Sequence, residues 1–171
     1  MRLVRTIAFA LAATAMGATA TAEPAAPKSM TAEFGWIVGT WTCHNSQAGK
    51  PDWDSVKKFE WIYGQKTLKE TSTQSDSSGQ FFTTVDPNTN SFKGIGLASG
   101  GGYIVWSYEG MVNDKATEVG YLIAGDKLIP VSRSDTERLS DTHFIIRDFR
   151  ADTPTGKGAA LDTEDCTKNA N

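Results

Sequence analysis

Cysteine and histidine are scarce in this chain, with two of each among 171 residues. Two cysteines cannot staple a disulfide-dense mini-fold, and neither lies in a C-x-x-C, which excludes a dithiol redox centre. Cys43 and Cys166 have no His/Cys cluster around them, so a dedicated zinc site would need carboxylates that spacing does not supply. H-E-x-x-H and G-x-S-x-G are both missing, which removes the zincin helix and the usual serine-hydrolase elbow. Basic residues do not predominate either: 17 Lys+Arg stand against 20 Asp+Glu, a net charge of −3. Nucleic-acid binding needs the opposite balance, because cationic side chains must displace condensed counterions. No run approaches the roughly 20 strongly apolar residues of a transmembrane helix. No helical stripe is long enough for a βαβ crossover, which argues against a parallel α/β fold.

What is present begins with an export pattern. Arg2 and Arg5 precede a small, apolar stretch over residues 6–15, and Ala20-Thr21-Ala22 offers the small-x-small site of signal peptidase. Residues 1–22 therefore read as a signal peptide cleaved after Ala22, and the product as periplasmic or secreted. Residues 23–30 read as a flexible Pro/Ala tether, and residues 31–171 as one domain. In an oxidising compartment an even cysteine pair is read as a disulfide, here Cys43–Cys166.

Beyond residue 38 the apolar pattern has period two. Thr31 can cap a short turn whose Phe34, Ile37 and Val38 share a face, ended by Gly39. Strands follow over residues 40–45, 57–63, 66–74, 81–85, 91–98, 103–110, 116–124, 127–134, 142–150 and 159–167. Turn chemistry separates them, notably Asp86-Pro87-Asn88-Thr89-Asn90, the glycines 100–102 and Gly125-Asp126. Because nearly every connection is a tight hairpin, the fold class is all-β, an up-and-down antiparallel barrel of about eight to ten strands with a short N-terminal helical turn. Gly94-x-Gly96 is followed by β-type sequence, so it reads as a barrel bend and not as a dinucleotide loop.

Residues 34–41, FGWIVGTW, carry a short turn into Gly39-Thr40-Trp41. This resembles the GxW start of lipocalin-like (calycin) barrels, and the chain as a whole resembles small secreted bacterial lipocalin-like domains of unknown function. The resemblance implies a closed barrel end where Trp41 packs against a basic residue of a late strand, Arg147 or else Arg150. It implies architecture and no reaction. Haem-binding barrels of the nitrobindin type have a similar GTW start and a late-strand histidine on iron, which makes His143 a candidate haem ligand beside the plainer reading of a strand-end histidine at the rim.

The strongest functional clue is aromatic. Phe59, Trp61 and Tyr63 share one parity, as do Ile104, Trp106 and Tyr108, and with Phe82 they form a candidate wall around a small hydrophobic or aromatic ligand. Arg133, Thr84 or Tyr108 would orient it. Trp36 and Trp41 read as structural. No cofactor is expected. The alternative activity is a cofactor-independent isomerase, lyase or hydrolase using His143 or a glutamate as base. Glu60, Glu70, His143, Asp148 and Tyr63 are the groups that could serve, with Glu60 placed by alternation opposite the aromatic face of its strand.

Overall fold

The computed structural model describes residues 26–99, 101–124 and 127–170. The segment read as an export signal, the start of the segment read as a tether and the reversal expected at Gly125-Asp126 lie outside the described residues. A short helix, α1 (Met30–Phe34), precedes ten strands: β1 (Gly39–Ser46), β2 (Trp53–Ile62), β3 (Thr67–Thr73), β4 (Ser78–Asp86), β5 (Ser91–Ala98), β6 (Tyr103–Tyr108), β7 (Lys115–Ala124), β8 (Lys127–Ser140), β9 (His143–Arg150) and β10 (Ala160–Lys168). Each strand pairs antiparallel with the next, and β1 pairs with β10 to close the barrel. The all-β, up-and-down barrel read from the hairpin series is the fold, at the upper end of the expected strand number.

Alternation explains most of the strands. In β1, Trp41, Cys43 and Asn45 are buried while Thr42, His44 and Ser46 are exposed. In β2 the buried positions are Ser55, Lys57 and Phe59, the same parity as Trp61. β8 outruns its expected end at residue 134 and continues to Ser140. Its extra segment, Asp135-Thr136-Glu137-Arg138, lacks apolar alternation and is held instead by β7 and β9 pairing and by ion pairs to Lys115 and Arg147.

One end of the barrel is plugged. Ser29 caps α1 by accepting the Ala32 N–H at 3.3 Å, and the Glu33 carboxylate accepts from the Tyr108 hydroxyl and the Met111 N–H. Residues 26–30, the end of the segment read as a tether, lie against the β4–β5 turn: Asn90 donates to the Ala26 carbonyl at 3.0 Å and accepts the Lys28 N–H at 2.8 Å. Beneath α1, Trp41 meets Phe144 edge-on at 4.7 Å and Trp36 at 6.1 Å, and Phe59 and Phe144 lie 6.5 Å apart. Each such ring removed from water stabilises the fold by about 1.5–3 kcal/mol.

The basic residue over Trp41 is neither Arg147 nor Arg150. Lys168, from β10, sets its ammonium 5.2 Å from the Trp41 ring and donates to the Trp36 carbonyl at 3.0 Å. Parity excludes Arg147: Phe144, Ile146 and Asp148 point inward, so Arg147 points out, where it bonds Glu137 at 3.2 Å. Arg150 is six residues along β9 from Phe144, about 20 Å at the usual rise per residue. The glycine of the GxW start has its own reason. Gly39 sits at φ 134°, and a Cβ there would lie 2.8 Å from the Lys168 side chain.

The closing seam is covalent as well as hydrogen-bonded. Cys43 and Cys166 are direct register partners and form the expected disulfide, both fully buried. The bridge joins residues 123 apart, a loop whose closure is worth about 4–5 kcal/mol in the chain-entropy account.

Candidate functional site

Between the plugged end and the opposite rim the barrel encloses a cavity of about 420 Å³, within the usual range for small-molecule sites. Its two walls differ in chemistry. Strands β4 to β6 supply Phe81, Ile104 and Trp106, while Phe59, Leu68 and Phe144 extend the apolar surface towards α1. Phe81 and Trp106 have room because β5 carries glycine behind them, and Ile104 because β7 does. A Cβ on Gly94 would come within 2.2 Å of the Trp106 indole, one on Gly96 within 2.5 Å of Phe81, and one on Gly120 within 2.6 Å of Ile104. Gly94-x-Gly96 thus does the work of a barrel wall thinned for aromatic rings, in keeping with its reading as a bend and not a phosphate loop.

The other wall is acidic. Glu118 of β7, Asp148 of β9, Asp162 and Glu164 of β10, and Glu70 of β3 line the same cavity, with Lys57 of β2 as their cation. Lys57 bridges Glu70 at 3.0 Å and Glu164 at 2.8 Å. Burial alone would strip its proton, but these two carboxylates outweigh burial and hold the ammonium far above the ordinary lysine range. Three acids remain without a cation. Burial, reinforced by Glu70 and Asp148, pushes the Glu118 carboxyl up to about 8. Burial also raises Asp148, to about 7, with Glu164 and Asp162 adding to it against the hydrogen bond that Ser134 donates. Asp162 is raised as well, by burial and by Glu164. Tyr108 completes the ring from β6; burial first, and then its bond to Glu33, push its hydroxyl upward.

Of the residues singled out in the sequence, Phe59, Ile104, Trp106 and Tyr108 line the cavity together. Trp61 has the inward parity but lies at the plugged end, packed on the core. Tyr63 has left the strand: at φ 52° it belongs to the β2–β3 turn and is 79% exposed. Phe82 faces out and Phe81 takes its place, because the Phe81–Phe82 pair offers alternation no preferred parity. The decisive signal was across the hairpin, where Phe81 pairs with Gly96. Arg133 lies on the outer face, donating to Asp135 at 2.9 Å and to Thr117 at 3.1 Å, and Thr84 is likewise exposed.

His143 opens β9 on the outer face, bonded through Nε2 to Asp165 at 2.8 Å. It is not among the residues lining the cavity, so a haem held inside would not reach it. His44 is solvent-exposed between Asp52 and Asp54. Among the described residues, the one group of three metal-type ligand atoms within reach of each other is Cys43, Glu164 and Cys166, and there the sulfurs are bonded to one another.

Sequence reasoning named Glu70 and Asp148 as possible acid–base groups but did not bring them together with Glu118, Asp162 and Glu164 as one wall. Lys57 was legible, since it shares parity with Phe59 and Trp61. Glu118, Asp162 and Glu164 were not, because an isolated carboxylate on a strand is usually a solvated outer charge.

Ten antiparallel strands closed around an enclosed, partly aromatic cavity define a protein of the barrel class compatible with a lipocalin-like fold. No protein-family model matches the chain, and no curated protein matches it.

Proposed function

We propose that this is an exported, lipocalin-like barrel that binds a small hydrophobic or aromatic molecule in its interior without covalent chemistry. The observation that carries the reading is the cavity of about 420 Å³ walled by Phe81, Ile104 and Trp106, with Gly94 and Gly96 sparing room for the rings and Gly120 for Ile104. Burial of an aromatic body against such a wall supplies affinity in proportion to the apolar area removed from water. Export through the N-terminal signal and the buried Cys43–Cys166 bridge both suit an oxidising compartment.

Trp106 on the wall makes the test direct. Titration with N-phenyl-1-naphthylamine, a neutral aromatic probe, is expected to quench tryptophan emission saturably, and Ile104→Trp, which fills the cavity, to abolish binding of the probe while the circular dichroism spectrum of the barrel persists. Absence of saturable binding by this probe and by a panel of quinones and fatty acids would overturn the reading.

A second reading is favoured by the carboxyls of Glu118 and Asp148, which change protonation state near neutral pH inside an enclosed site. That is the equipment of a general acid and base. In this alternative, a cofactor-independent isomerase, lyase or hydrolase, Glu118 takes the role that sequence analysis gave to His143 or an unspecified glutamate.

A further inference from the structure

The cavity is lopsided in charge. Five carboxylates face it and one ammonium, and Lys57 is already engaged by Glu70 and Glu164. Among the described residues the Glu118 side chain makes no hydrogen bond and no ion pair. It is half-buried, and its carboxylate lines the cavity. A buried carboxylate left in this condition must either take up a proton or find a cation.

A metal ion is the poorer candidate for that cation. It needs several oxygens converging on one point, and among the described residues no three of these carboxylates bring ligand atoms together in that way. The acids are spread around the barrel, from β3 through β7, β9 and β10, opposite an aromatic wall. An organic cation matches both halves at once: an apolar body lies on Trp106 and Phe81, and an ammonium carries three donors towards separated acceptors.

We propose that the natural ligand is an aromatic or similarly apolar primary amine, bound with its ammonium at Glu118 and its ring against Trp106. This rests on the reading of the cavity as a binding site and narrows its ligand class. Ammonium binding is an exchange: the amine arrives charged, and the proton held at the acid wall leaves to solvent. Every charged or titratable group facing Glu118 enters that balance. Lys57 and Glu70 come from β2 and β3, Tyr108 from β6, Asp148 from β9, and Asp162 and Glu164 from β10; neighbouring β8 contributes Ser132, Ser134 and Thr136, which do not titrate.

The test compares 1-naphthylmethylamine with 1-naphthalenemethanol and 1-naphthoic acid, which share the ring and differ in the head. Calorimetric titration at pH 6 and pH 8, in buffers of different ionisation heat, reads both affinity and protons released. The amine is expected to bind at least about tenfold more tightly than the alcohol at pH 8, with the advantage shrinking at pH 6 and proton release appearing there. The acid is expected not to bind. Glu118→Gln is expected to bring the amine down to the affinity of the alcohol and leave the alcohol unchanged. Asp148→Asn gives a second variant, expected to weaken amine binding to a smaller degree. If the alcohol binds as well as the amine in the native protein, the cavity reading stands and the amine assignment falls. Should none of the three bind, the cavity reading falls with it. An amine preference that survives Glu118→Gln overturns the assignment to Glu118.

Discussion

Strands β7, β8 and β9 carry acidic or ion-paired residues on both faces, and the two faces treat carboxylates oppositely. On the outer face Glu137 lies between Lys115 at 3.1 Å and Arg147 at 3.2 Å, and bonds from these two cations hold its carboxyl below the ordinary range. Asp135 is gripped by Arg133 and Lys157, each at 2.9 Å. Burial works to raise it, but the bonds from Lys157, Thr117 and Arg133 win and keep it low. On the inner face of the flanking strands β7 and β9, Glu118 and Asp148 have no ion-pair partner among the described residues and are raised. The contrast shows that net charge says little about a small barrel. What matters is the side of the sheet on which the counter-ions sit.

The comparison breaks most severely if the inner face loses its one cation. Lys57→Met leaves Glu70 and Glu164 buried without a partner, and a loss of about 3–5 kcal/mol is expected. Urea denaturation should show the loss larger at pH 8 than at pH 5, where protons can replace the ammonium.

A smaller change tests the sign of the inner acids. Glu118 binds its proton more tightly in the folded than in the unfolded chain, so between the ordinary glutamate range and about pH 8 the native state carries the extra proton. Stability therefore falls as pH rises through that window. Glu118→Gln is expected to remove this slope, gaining on the order of 3 kcal/mol at pH 8 and little at pH 5. A denaturation midpoint that still drops with pH in the variant would assign the slope to the Asp148–Asp162 pair instead.

The outer face should hardly respond. Asp135→Asn is expected to cost less than about 1 kcal/mol, with no change between pH 5 and pH 8. Asp135 is depressed, so its contribution is full above the ordinary aspartate range and is lost only as pH falls below it.

The same inside–outside distinction decided what could be read from the sequence. Period two and turn chemistry are local, and they located all ten strands, with β8 running six residues beyond its expected end. The disulfide followed from compartment and count. Parity was legible where apolar residues alternate with charge, as in Lys57 to Trp61, and failed where two rings adjoin, as at Phe81–Phe82. The acidic wall as a unit was out of reach because its members come from four strands and are brought together by closure, a property of the whole sheet. Lys168 escaped for a related reason: it faces Trp41 across the seam between β1 and β10, where the partners are 127 residues apart.

That seam has a mechanical corollary. A pull applied to residues preceding Cys43 and following Cys166 runs straight through the sulfur–sulfur bond, so β2 to β9 lie off the line of tension. Stretching the chain by its two tails would peel away α1 and the last few residues, then load a covalent link. While that link is intact, the eight strands from β2 to β9 bear none of the load, and only the α1 plug is exposed to it.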